Sequence, residues 1–230
     1  MEIGLDVISD LHLLPDDSFN WEGKATSLYC ILAGNVSSDL RTVCQTLMHL
    51  SRLYQGVFYS PGFLEYDGID DVGDRTDQII EMCSMIPNVA VLHHHVVIID
   101  GIAVIGCNGW SMFTFAKEAD DQRQTARYED IVYLKKSIEK LQKHLDVKKI
   151  VVVSNAIPKK ELYFGEQPPY IDDYLTLDYC LDSDTEHKIS HWVFGTHKKI
   201  VDTTLNDINY LNNPYYKQKP YWAKRLNVII

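Results

Sequence analysis

Five short apolar runs, each breaking off into a small or polar station, constrain what this chain can fold into more than any other feature. Ile3–Ile8 leads into Asp10-Leu11-His12, Tyr29–Ala33 into Gly34-Asn35, and Val57–Ser60 into Pro61-Gly62-Phe63-Leu64-Glu65. Far downstream, Ile150–Val153 ends in Ser154-Asn155-Ala156-Ile157-Pro158, and Trp192-Val193-Phe194 in Gly195-Thr196-His197-Lys198. Runs of this length and composition, bounded by turn formers, read as buried strands. The sequence predicts strands at 3–8, 28–33, 56–60, 90–92, 95–99, 102–106, 149–153 and 191–195, with short ones after 198. Helices are predicted at 38–54, 75–86 and 126–145; in the last, Ile131, Leu134, Ile138, Leu141 and Leu145 recur three and four apart. Asp100-Gly101 between two apolar runs predicts a tight hairpin. The alternation gives an α/β chain with parallel sheet, and the second half adds meander strands.

Composition narrows the class. At 230 residues, 46% hydrophobic and 23% charged, the chain can bury a substantial core, and 1–230 reads as one domain. No apolar run approaches the roughly 18 residues of a membrane-crossing helix. Met1-Glu2-Ile3-Gly4 lacks the basic and long apolar regions of a secretory signal. Cys30, Cys44, Cys83, Cys107 and Cys180 are odd in number, scattered and free of any C-x-x-C spacing. Free thiols in a reducing cytoplasm are the expectation. A net charge of −10 argues against strong binding to a nucleic-acid backbone or an anionic membrane.

The stations carry the chemistry. Residues i and i+2 at a strand end share a side, so Asp10 and His12 can turn towards one cation. Taken in order, with Asn212-Asn213-Pro214-Tyr215-Tyr216 closing the series, the stations resemble the calcineurin-like metallophosphoesterase superfamily. Its pattern reads D-x-H, G-D, G-N-H-[DE], a lone H often followed by P, and G-H-x-H. The resemblance spans residues 1 to about 216. Val104-Ile105-Gly106 and Trp110 are similar to the family's central hairpin and the loop after it. It implies a four-layer α/β/β/α sandwich of mixed sheets.

Carried over residue by residue, the resemblance implies a depleted metal centre. Asp10 and His12 match the first two ligands, but Asn35 stands where the bridging carboxylate belongs. His197 matches the final ligand if the motif has lost one residue; otherwise Lys198 stands there. The second metal's further positions are Phe63, Asn155 and either Thr196 or a gap, and the family's catalytic histidine is Leu64. An amide cannot supply the charge with which a carboxylate neutralises two close cations. Phe63 and Leu64 replace polar groups with hydrocarbon.

Other groups have plainer roles beside a chemical one. Consecutive strand residues point to opposite faces, so His93-His94-His95 cannot all meet one ion. Glu65, Asp67, Asp70, Asp71, Asp74 and Asp77 read as a solvated acidic loop rather than as replacement ligands. Tyr215, Tyr216, Lys217, Lys219, Tyr221, Trp222, Lys224 and Arg225 interleave cations with aromatics, a composition that can stack on single-stranded nucleic acid or cover a core edge. Three functions follow as expectations. The leading one is a non-catalytic relative that binds a protein or other macromolecule. The alternative is a mononuclear hydrolase of a nucleotide or phosphodiester, with one Mn²⁺, Zn²⁺ or Fe²⁺ held by Asp10, His12, Asn35 and His197. The third is a phosphate- or nucleotide-binding module using Asn35, Asn155, Thr196 and Lys198. The drift of the motifs points to a fast-evolving gene of the kind that phages and viruses carry.

Overall fold

Alternation of inward and outward side chains along the strands decides the architecture. The computed structural model describes residues 2–110, 117–163, 177–215 and 221–230. One sheet orders its strands β11 (Lys224–Ile229), β1 (Glu2–Ser9), β2 (Tyr29–Ala33), β3 (Gly56–Ser60) and β4 (Val89–Val91). The other orders β5 (His95–Ile99), β6 (Ile102–Cys107), β7 (Lys149–Ser154), β8 (Ile189–Phe194), β10 (Ile208–Asn212) and β9 (Val201–Leu205). Each sheet is mixed. The inner strands run parallel, and antiparallel partners sit at the margins, β11 beside β1, β5 beside β6 and β9 beside β10.

Three apolar cores show the layering. Leu5, Val7, Ile31, Val104, Val151, Val153 and Val193 meet between the two sheets. The alternate residues Ile8, Cys30, Leu32, Val57 and Tyr59 face α1 (Leu40–Ser51) and α2 (Val72–Ser84). Ala103, Ile105, Ile150, Val152 and Trp192 face α3 (Lys117–Gln142). A period of two thus places each apolar strand between two hydrophobic layers, which is why the runs read as nearly continuous. The expected four-layer α/β/β/α sandwich is the fold.

Predicted and observed elements differ mainly at ends. The α3 helix begins at Lys117, well before 126, and stops at Gln142, which leaves Leu145 85% exposed although it keeps the helical spacing. The hairpin turns at Asp100 (φ 45°) and Gly101 (φ 86°), both left-handed as a two-residue turn of this kind requires. Asp39 caps α1 and Asp71 caps α2, each accepting from the backbone N–H three residues on. Among the described residues no helix is long and apolar enough to cross a membrane. Tyr216, Lys217 and Lys219 lie outside the described residues.

A hydrogen-bonded candidate site at the strand ends

The parallel strands β1, β2, β3, β7 and β8 deliver their terminal stations to one end of the molecule. Backbone bonds tie them together: Asp10 N–H donates to Gly34 C=O (3.0 Å), His12 N–H to Asn35 C=O (2.9 Å), and Gly195 N–H to Ser154 C=O (3.1 Å). Asp10, His12, Asn35 and Thr196 all adopt positive φ, at 53°, 47°, 55° and 59°. For Thr196, a β-branched residue, that is a strained state. Non-glycine residues held this way mark a place where tertiary contacts over-determine the backbone.

Asp10, only 3% exposed, lies at the centre and is surrounded by donors. Its Oδ1 accepts from Asn35 Nδ2 (2.9 Å) and from Thr196 N–H (2.8 Å), and its Oδ2 from Asn212 Nδ2 (3.3 Å). Burial pushes the Asp10 carboxyl above the ordinary aspartate range, partly offset by hydrogen bonds from Asn35, Ser9 and Thr196. Asn35 in turn accepts the Leu64 N–H on Oδ1 at 3.1 Å. Its neighbours fix the amide's orientation, because a carboxylate needs a donor and a backbone N–H needs an acceptor. The group facing Asp10 is therefore an NH₂.

The network continues through Thr196. Its hydroxyl accepts from Asn35 Nδ2 (3.3 Å) and donates to Asn155 Oδ1 (2.9 Å), which also accepts the Phe63 N–H (3.1 Å). Asn155 Nδ2 is enclosed by backbone: a Cβ on Gly34, Gly62 or Gly195 would sit 2.5, 2.7 or 2.6 Å from it. Three glycines let the chain close around one amide. Phe63 leans on Trp110 with ring centroids 6.4 Å apart, and Leu64 opens a short 3₁₀ turn, Leu64–Tyr66.

The remaining predicted residues take other positions. The His12 side chain is exposed. His197 is buried, meets the backbone of Lys199 through Nδ1 at 3.0–3.1 Å and packs edge-on to Tyr163, while Lys198 is exposed. Among the described residues, the trio of His, Cys, Asp or Glu side chains with ligand atoms within 4.8 Å of one another is His93, His94 and Asp130; Asp10, His12 and His197 do not form one.

Glu65 does not belong to the solvated acidic loop that the sequence predicts. It is fully buried and accepts from the backbone N–H groups of Asn35 (3.2 Å), Val36 (2.8 Å) and Gly62 (3.0 Å) and from the Tyr59 hydroxyl (2.9 Å). Burial raises its pKa despite these bonds. The sequence signal was available, since Glu65 occupies the acidic place in the G-N-H-[DE] station, but its company of exposed aspartates masked it. In the C-terminal run, Tyr221 is buried against Trp21 (5.5 Å) and Tyr215 (5.0 Å), whereas Trp222 is 62% exposed.

Comparison with solved structures settles the fold. The chain superimposes on phosphopantetheinyl hydrolase (PptH) of Mycobacterium tuberculosis with a TM-score of 0.70 at 15% identity, covering 98% of this chain and 96% of that one. This chain has the calcineurin-like metallophosphoesterase fold. A Staphylococcus aureus protein assigned as a 5′-nucleotidase aligns at TM-score 0.57 and 12% identity, over 99% of this chain and 51% of that one. GAP50, the anchor in the inner membrane complex of Plasmodium, aligns at 0.55 and 11%, over 93% and 71%. In sequence, protein L509 of Acanthamoeba polyphaga mimivirus, itself uncharacterized, is 26% identical over 129 residues. That match takes in 49% of this chain, which spans about half of that relative's length (46%). No family model matches the sequence.

Proposed function

We propose that this protein keeps the phosphoesterase fold without its dinuclear chemistry and acts by binding a macromolecule, in the first place a protein. The observation that carries the reading is the amide of Asn35, whose NH₂ is directed at Asp10. A group bridging two cations must offer lone pairs and negative charge to both, and an NH₂ offers neither. Asn155 supports the same reading, since its Oδ1 is committed to Thr196 and Phe63 and its Nδ2 is enclosed by glycine backbone. This donor set does not fit a pair of divalent ions. The fold is compatible with a binding role: one structural neighbour is named as an anchor. The mimivirus relative supports a viral or phage origin.

The mononuclear reading draws on the hydrolase names of two fold neighbours. It would need Asn35 to turn its amide, whereas the Nδ1 contact of His197 with the Lys199 backbone is of the kind that orients a metal-bound imidazole. Phosphate held by Asn35, Asn155, Thr196 and the exposed Lys198 is the third reading. A calorimetric Mn²⁺ titration and a phosphodiester hydrolysis assay, both with Asp10→Ala as control, separate them. The expected result is that neither Mn²⁺ uptake nor hydrolysis depends on Asp10. Mn²⁺-dependent turnover lost in Asp10→Ala would overturn the proposal in favour of the mononuclear enzyme. Thermal stabilisation by phosphate or nucleotide without a divalent ion would favour the third reading.

A further inference from the structure

A second chemical cluster lies beside the site just described and shares no residue with it. The β4 strand ends at Val91 and β5 begins at His95, so His93 and His94 belong to a bend rather than to a strand. His94 takes a left-handed backbone, φ 49°, which defeats the alternation expected of consecutive strand residues. Both imidazoles therefore turn the same way, stacked with centroids 4.5 Å apart. The side chain of Asp130, from the middle of α3, is 1% exposed and comes up to meet them. One of its oxygens pairs with His94 Nε2 at 2.8 Å, and the other accepts the Gly109 N–H at 2.7 Å. Tyr133, one turn further along α3, stacks on the opposite side of His94 from within 4.7 Å.

We infer that His93, His94 and Asp130 form a binding site for one borderline divalent cation of the zinc class, open to the cleft between α2 and α3. One ligand atom from each of the three lies within 4.8 Å of the others. Around a tetrahedral zinc, with metal–nitrogen bonds of about 2.0–2.1 Å, donors stand about 3.3 Å apart. The side chains must therefore draw in, and the two stacked rings, 14° from parallel, must tilt so that both lone pairs meet the ion. Two imidazoles and one carboxylate select zinc, cobalt or ferrous ion over magnesium or calcium, which prefer all-oxygen shells.

A structural His–Asp pair would account for His94 and Asp130 but not for His93. The His93 ring is stacked on His94 and brings a nitrogen within reach of the same point as His94 and Asp130. Coordination at His94 Nε2 requires that nitrogen to give up its proton, which the ring can carry on Nδ1 instead. The Gly109 N–H fixes the carboxylate in the way that outer-shell donors orient metal ligands. His93 also lines a cleft of about 510 Å³ together with Thr76, Asp77, Trp110, Thr125 and Glu129, so a fourth coordination position faces open space.

The test is titration of the chelator-stripped full chain with Zn²⁺ by calorimetry and with Co²⁺ by visible absorption. One equivalent should bind, with at least about tenfold weaker affinity in His93→Ala and unchanged affinity in Asp10→Ala. His93→Ala leaves the Asp130–Gly109 bond in place, and its circular dichroism should match the parent. His93→Cys should bind Co²⁺ and add an intense near-ultraviolet thiolate-to-cobalt band. Failure of the folded protein to take up Zn²⁺, equal affinity in His93→Ala, or loss in Asp10→Ala would each overturn the inference. The Asp10→Ala arm also separates this site from the strand-end network, on which the inference does not depend.

Discussion

At Asn35 an amide nitrogen stands where the family resemblance expects a carboxylate oxygen, and every neighbour is arranged around a donor. Asn35→Asp would set a second carboxylate against Asp10 in a buried place, where the amide now donates at 2.9 Å. We expect a loss of about 2–4 kcal/mol at neutral pH, from urea unfolding, and no large gain in phosphodiesterase rate. Two carboxyls that share a proton have one raised pKa, so that loss should shrink as the pH is lowered. Asp10 itself gives a second test. Its folded-state pKa is raised above the ordinary 3.8 by burial, so the protonated form favours the fold. The associated stability is present below about pH 3.8 and is lost as pH rises through the folded-state pKa. Asp10→Asn should lack this dependence. The difference in unfolding free energy between parent and variant, followed from about pH 3 to 7, should move against the parent as pH rises.

At the scale of elements, the loops that follow β2 and β3 are held together by Glu65 from the 3₁₀ turn. Four donors converge on its two carboxylate oxygens, from Asn35, Val36, Gly62 and Tyr59. Glutamine keeps one acceptor and turns an NH₂ towards donors on the other side. Glu65→Gln should therefore cost about 2–3 kcal/mol. At about 2–4 °C per kcal/mol for a chain of this size, the melting temperature should fall by roughly 4–12 °C. Amide exchange at Asn35 and Val36 should accelerate at the same time. An unchanged melting temperature would mean that the carboxylate does not organise these loops.

For the whole molecule, the two sheets share a core that neither helical layer reaches. Leu5 is fully buried in it, whereas Leu145 beyond the end of α3 is 85% exposed. Leu5→Ala should destabilise by about 2–5 kcal/mol, through lost burial and the cavity left behind. Leu145→Ala should stay within about 0.5 kcal/mol. Urea unfolding of the two variants side by side checks this, and equal effects would contradict the layered core.

The sequence by itself determined the order of strands and helices along the chain and the hairpin at Asp100-Gly101, whereas the four-layer sandwich came only from the family resemblance. That order and that hairpin are written in local periodicity or turn chemistry, and each is enforced wherever a run of side chains must alternate between two apolar layers. It also placed Asp10, Asn35, Asn155 and Thr196 at strand ends, because parallel strands bring their termini to one side. Tertiary structure alone decided what those residues do there. The Asp10–Asn35 bond joins positions 25 apart, the Thr196–Asp10 bond positions 186 apart, and the His94–Asp130 pair positions 36 apart. Local pattern carries no record of such partners. The same holds for Glu65, whose acidic neighbours in sequence are solvated while it is buried. It holds equally for His93 and His94, whose shared direction follows from one left-handed residue outside any strand. Hydrogen-bond partners and backbone handedness are fixed when distant segments pack, because only then does burial make an unmet donor or acceptor costly.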